Sequence, residues 1–528
     1  MKKYTIIVLI PTFFMIILIH IMVPEADKTD LDDYISKAFD THSYRIARNE
    51  SWHLIKSDFS KIDYHRNYIY ANHKSKRRQD LTPYYRSYYR TQDSLSSDLA
   101  AYALGYMKLL DDDAAAALEF FLEVKNTKLK YLNNSIGYCY LILKDYDKAR
   151  YYLQREIELD GWVDGALMNY ADILIREKHI PEINRVLAHR ELAEKLTWQH
   201  KRQFYYLARD FYPYFITIFK FYRPHIIPEG IIGALLITIL WFVFIKRMDI
   251  LEPGKMKYML VVFILSVVIS QFFYPLHDFT AITLQFRLEG SSPYKFFYCV
   301  MGIGLIEETI KIIPVLLIFF ITRELNEPVD LIMYAAVAAL GFAFMENLNY
   351  FHKSGLILIA GRAITATMMH MVISAIAVYG LVLYRFKRSS SLWILAFFLT
   401  ACFLHGIYDF GLLSFVYVQQ QFWFFSVSLL ILYLLIFNPI IRNTLAISKF
   451  SHTINSAKRL RRNGRLLIYN LSYICMVQYA ILAIKFGVDL ADSTLDFTLI
   501  SAYIYIGVLS VCLNLTFRSL KMEAYYPK

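Results

Sequence analysis

From Tyr4 to Val23 the chain is almost continuously apolar, from Pro24 to about Arg223 it is polar and rich in aromatics, and beyond Pro228 long apolar runs return. At ~1.5 Å per helical residue, a run of some twenty residues reaches across a ~30 Å hydrocarbon layer. The later runs fall at 229–245, 257–275, 296–321, 329–350, 356–384, 391–412, 421–441, 466–486 and 498–516, which with the first makes ten expected spans. Backbone groups inside lipid must be satisfied within the segment, so the runs predict an all-α, polytopic helical membrane bundle. Four regions follow: a membrane anchor at 1–23, a helical domain at 24–225, a membrane bundle at 228–441, and a basic loop with two further spans at 442–528. The first run is read as an uncleaved anchor, since Ile21-Met22-Val23-Pro24 offers no small-residue cleavage site.

Within 24–225 no stretch is apolar enough to span a bilayer, and a weak internal repeat appears. Gly105, Gly137 and Ala171 align, and each is followed twelve residues later by Ala117, Ala149 or Ile183. The segment from Leu132 to Asp160 sets small residues where two antiparallel helices would cross, with aromatics between them. With a period of about thirty-four residues it resembles a tetratricopeptide repeat. Such arrays stack and leave a concave face that holds a peptide or protein, so a protein partner on this domain is expected.

Hydrophobic residues make up 56% of the chain and charged residues 19%, too apolar for an ordinary soluble protein, so the lipid bilayer is the expected surrounding. The formal charge of +12 does not point to nucleic acid, because most basic residues flank apolar runs instead of gathering on one folded face. The five cysteines form no CxxC pair, which leaves no disulfide framework or cysteine metal site. Lys and Arg favour cytoplasmic loops. Alternate loops carry Lys246, Arg247, Lys255 and Lys257, then Arg323, then Arg385, Lys387 and Arg388, then seven between Arg442 and Arg465; the intervening loops carry only Arg287, Lys295, Lys353 and Lys485. This predicts cytoplasmic termini, an extracytoplasmic repeat domain and a bacterial plasma (inner) membrane location.

Four consecutive spans contain ionisable residues, each costing ~2.5–3.5 kcal/mol at mid-membrane on insertion scales, and such residues by default mark a function. Glu307 and Lys311 lie one turn apart and can pair, leaving Glu308 turned toward a neighbour. Phe342, Glu346 and Tyr350 stack at i, i+4 and i+8, with Asn347 beside them; Arg362 and His370 follow; His405 and Asp409 share a face. Carboxylates near two imidazoles offer either a general base with oxyanion donors or a His₂-carboxylate metal site with an open position. Either arrangement cleaves amides.

The set E-E-x-x-K at Glu307 to Lys311, F-x-x-x-E-N-x-x-Y at Phe342 to Tyr350, His370, and H-x-x-x-D at His405 to Asp409 resembles the PrsW-type intramembrane proteases, relatives of the CAAX-prenyl and bacteriocin-processing membrane proteases. The resemblance covers about residues 255–440 and implies cleavage of a membrane-anchored protein substrate, such as an anti-sigma factor. It implies that Glu307 or Glu308 is the base, that His370, His405 and Asp409 position water, metal or oxyanion, and that Glu346 is a further ligand or acid. Lys311, Asn347, Tyr350 and Arg362 take supporting places. Zinc is the candidate cofactor, with His370, His405 and Glu308 as its expected ligands. The wider relatives usually have Arg in the first motif and Asn ending the last; Lys311 and Asp409 here point to the PrsW branch.

Two other readings remain open at this point. Carboxylate and histidine chains also relay protons in membrane carriers, but no matching repeats or broken helices in two halves are visible, although Pro314 follows Lys311 by three residues. A non-catalytic scaffold could hold partners through its repeats, though three carboxylates in the bundle would be a costly anchor.

Overall fold

Every regular element among the described residues is helical, as the apolar runs require. The structure, a computed structural model, describes residues 2–220, 227–248, 256–351, 353–415, 419–447, 456–495, 498 and 500–519, and it divides into two units: residues 26–223, and residues 1–25 together with 224–528.

In the first unit, successive helix pairs are Ser94–Leu110 with Ala114–Leu122, Leu132–Ile142 with Tyr146–Glu158, and Val163–Glu177 with Ile180–Ala188. The chain reverses at Asp112, Lys144 and Lys178, all with positive φ, and each falls seven residues after Gly105, Gly137 or Ala171. Side chains then cap the returning helices: Asp113 accepts from the Ala116 N–H at 3.1 Å and Asp145 from that of Lys148 at 3.2 Å. Small residues let the paired helices approach, since a Cβ on Gly137 would stand 2.7 Å from Leu153 Cγ. Buried carboxylates hold the turns between pairs. Glu156 accepts from the backbone N–H of Tyr131, Asn134 and Trp162 at 2.7, 3.2 and 2.8 Å, and Asp98 accepts from those of Lys125 and Asn126 at 2.9 and 2.8 Å. Arg66 donates to the Tyr102 hydroxyl and lies against the rings of Tyr106, Tyr131 and Trp162.

In the second unit, seven helices among the described residues are long and apolar enough to cross a membrane, which makes the protein an integral, multi-pass membrane protein. Three of the ten expected spans are not among them. The 296–321 span carries three charged residues, Glu307, Glu308 and Lys311, within its apolar run, and these set it apart from the seven. At the two chain ends, helices Lys2–Met22 and Ser501–Ser519 form, but many of their side chains lie outside the described ones. Two helices make the centre of the bundle: the apolar stretches of Pro328–Tyr350 and Gly355–Lys387 are 83% and 94% buried in protein, against 28% for Leu392–Ser414.

Several spans are less regular than expected. The run at 257–275 is an α-helix, Met256–Ile269, followed by short helical pieces to Thr283. A turn of π-helix at Cys299–Gly304 precedes the Leu305–Ile321 helix. The span expected at 356–384 begins as 3₁₀ turns at Lys353–Leu358 and a six-residue helix at Ile359–Ile364, breaks at Thr365 (φ −105°, ψ −72°), and continues as Ala366–Lys387. These irregular pieces border the ionisable residues.

Candidate active site

Four helices bring the ionisable residues together: Leu305–Ile321 carries Glu307, Glu308 and Lys311; Pro328–Tyr350 carries Glu346 and Asn347; Ala366–Lys387 carries His370; Leu392–Phe415 carries His405 and Asp409. The first and last approach closely because of two glycines. A Cβ on Gly304 would stand 2.7 Å from the Cys402 carbonyl oxygen, and one on Gly406 would stand 2.4 Å from Val300 Cγ2. The π turn at Cys299–Gly304 shifts the phase of the helix that follows it, so Glu307 and Glu308 both face inward.

Lys311 lies at the middle of the group. Its Nζ reaches Glu307 Oε2 at 3.0 Å, Glu308 Oε1 at 2.9 Å and His370 Nδ1 at 2.8 Å, and it stands 4.5 Å over the Phe342 ring. An ammonium has three protons and no lone pair, so all three are matched and His370 Nδ1 must accept. The proton of His370 is therefore on Nε2, which donates to Glu346 Oε2 at 2.7 Å. Arg362 reaches the same Glu346 oxygen at 2.7 Å and Asn347 Oδ1 at 2.5 Å, and it stacks 4.0 Å from the Tyr350 ring centre.

Glu308 is wholly enclosed and satisfied. Besides Lys311 it accepts from His405 Nδ1 at 2.8 Å and from Ser374 Oγ at 2.9 Å. With Nδ1–H committed to a carboxylate, His405 presents the lone pair of Nε2 to Glu307 Oε2 at 3.4 Å and Asp409 Oδ2 at 3.5 Å. Asp409 Oδ2 is buried with no hydrogen-bond partner. A nitrogen lone pair facing two carboxylate oxygens is repulsive unless a proton or a cation lies between them.

This spacing fits a metal. Ligand atoms ~2.0–2.2 Å from one tetrahedral ion stand roughly 3.3–3.6 Å from each other, close to the two distances at His405 Nε2. One ligand atom each from Glu307, His370 and His405 lie within 4.8 Å of one another. The carboxylate that converges with the two histidines is that of Glu307, while Glu308, expected as a ligand, is held behind His405 as its hydrogen-bond acceptor. A carboxylate on the far nitrogen of a ligating histidine is the common way such a ring is oriented.

All ten residues expected at the site lie around this group. Ser374 was not foreseen, although it lies four residues after His370, on the same helical face. Thr367, 3.4 Å from the Asn347 amide, was also missed.

Residues 254–439 match the model of the PrsW family intramembrane metalloproteases. Among curated proteins, the chain is 35% identical over 117 residues to Protease PrsW of Geobacillus kaustophilus (strain HTA426), a match covering 22% of this chain and 51% of that protein. It is 25% identical over 186 residues to Protease PrsW of Shouchella clausii (strain KSM-K16), covering 35% of this chain and 84% of that protein. It is 27% identical over 154 residues to Protease PrsW of Bacillus subtilis (strain 168), covering 28% and 71%. The chain thus spans about half the length of the first of these relatives, and the four site helices all fall inside the matched segment.

Proposed function

We propose that this protein, whose residues 254–439 match the PrsW family model, is an intramembrane endopeptidase that hydrolyses peptide bonds of membrane-anchored proteins. The observation that carries the reading is the convergence of Glu307, His370 and His405, with Asp409 Oδ2 left without a hydrogen bond beside them.

Glu307, His370 and His405 would hold the metal, His370 through Nδ1 in place of the Lys311 proton, leaving the fourth position beside Asp409 open to water; zinc is the favoured ion for this nitrogen and oxygen set. When bound, the ion would polarise the scissile carbonyl and make water more acidic. Glu307 would ligate through Oε2 and leave its other carboxylate oxygen to act as the base toward water. Glu308 holds His405 in the tautomer that frees Nε2, and Ser374 holds Glu308. Glu346, with a quarter of its side chain exposed, is linked to His370 and is placed to pass a proton to the leaving amine. Arg362 keeps Glu346 oriented.

By its Lys and Arg pattern the protein lies in a bacterial inner membrane with both termini cytoplasmic, and the 26–223 unit presents substrates or partners on the outer side. Anti-sigma-factor-like single-span regulators are the substrate class that this arrangement suits.

The test is cleavage of tagged single-span membrane proteins in cells, comparing wild type with Glu307→Gln, Glu308→Gln and His405→Ala at equal expression. A fragment seen with wild type and lost in Glu307→Gln and His405→Ala supports the reading. Identical fragments in all variants would sink it in favour of a carrier or scaffold.

A further inference from the structure

Segment 353–364, which carries Arg362, is built of 3₁₀ turns and a six-residue helix. Short helices leave their first N–H and last C=O groups without internal partners, and at membrane depth such backbone is tolerated only where protein satisfies it. Two helices outside the matched segment 254–439 supply those partners. Gln478, fully buried in Ser456–Phe486, accepts from the Ala360 N–H at 2.6 Å and donates to the Ile357 carbonyl at 3.1 Å. Trp241, in Pro228–Met248, donates from Nε1 to the Ala363 carbonyl at 2.9 Å. The two helices are also tied to each other, by Lys485 to Glu229 at 2.8 Å and by the Asn463 amide to the Phe244 carbonyl at 3.1 Å.

We propose that Gln478 and Trp241 are positioning residues for the protease: they clamp the backbone of segment 353–364 so that Arg362 meets Glu346 and Asn347, and through Glu346 fix the tautomer of His370. The proposal rests on the protease reading for its kinetic consequence. The clamp adds no chemistry of its own; it sets where the guanidinium stands relative to the histidine–carboxylate pair. In this chain the active site therefore extends into helices that the family match does not include.

Gly361 provides a reporter, because it is exposed and a Cβ there would meet nothing within 4 Å. In the full-length protein in proteoliposomes, with Cys512 changed to Ser, a nitroxide on Gly361→Cys reads the mobility of the segment. Cleavage of a tagged single-span protein, without the label, reads its effect. For Gln478→Leu the expected result is a more mobile nitroxide and a kcat lowered ~10–100-fold with KM within about twofold. Trp241→Phe keeps an aromatic ring, removes the pyrrole half with its N–H donor and shifts both readouts in the same direction, which serves where Gln478→Leu fails to fold. The loss should shrink when Arg362 is already Lys, because both changes act on one interaction. An unchanged nitroxide in both variants, or a mobile one with kcat within about twofold of the parent, overturns the proposal. A parent protein that cleaves nothing overturns the protease reading instead, and the nitroxide spectra still decide whether the clamp holds.

Discussion

Both units of this protein bury charged side chains, and they do so differently. In the 26–223 unit, Glu156 and Asp98 take backbone N–H groups of neighbouring turns, and Arg66 is enclosed by tyrosines and a tryptophan. Each is matched to fixed groups, and the result is shape. In the membrane unit Lys311 and Glu308 are matched as fully, but around them His405 Nε2, Glu307 Oε2 and Asp409 Oδ2 point at one another. Buried polar groups that close on themselves specify a fold; those that leave lone pairs facing a common position specify a site.

The largest effect expected from this contrast concerns Lys311. Lys311→Met removes the cation that Glu307, Glu308 and His370 share, leaving two buried carboxylates uncompensated, and should destabilise the membrane unit by ~3–5 kcal/mol. Thermal unfolding in detergent measures it; an unchanged Tm would show that the carboxylates are not both ionised there.

Glu308→Gln keeps size and shape but alters the partner of His405, and should lower cleavage ~10–100-fold while leaving the protein folded. A loss as complete as that of Glu307→Gln would make Glu308 the base and reverse the assignment of the pair. In the other unit, Glu156→Ala leaves three backbone N–H groups without their acceptor, and a loss of ~1–3 kcal/mol is expected, with no direct effect on catalysis at the membrane cluster. Chemical denaturation followed beside cleavage separates the two.

The smallest effect is on acid stability. Burial holds the imidazoles of His65 and His42 below the usual histidine range. Their folded pKa lies under the unfolded one, so the unfolded chain takes up protons first. Stability from this source is full above about pH 6.5 and falls as the pH drops below it. Unfolding of the 26–223 unit should therefore occur more readily at mildly acidic than at neutral pH, and a midpoint insensitive to that change would contradict the burial of these rings.

Much of this was legible in the chain. The apolar runs located the bundle, and the spacing of Gly105, Gly137 and Ala171 coincides with the turns at Asp112, Lys144 and Lys178. All ten expected site residues gather because intramembrane charge is costly enough to stand out from its surroundings. The different settings of Glu307 and Glu308 were not legible. Adjacent residues differ by ~100° on a helix, and the phase here depends on a π turn at Cys299–Gly304 that no periodicity announces. The break at Thr365 was hidden because apolar residues continue through it. Gln478 and Trp241 act across more than a hundred positions, a distance over which only folding brings partners together.

The central claim is that the position shared by Glu307, His370 and His405 is where peptide bonds are cut. Single-turnover cleavage of a tagged single-span protein by the purified chain in proteoliposomes, wild type against His405→Ala at matched thermal stability, tests it most directly. Cleavage by His405→Ala is expected to be ~10²–10⁴ slower than by wild type. Cleavage at the wild-type rate by His405→Ala would contradict it.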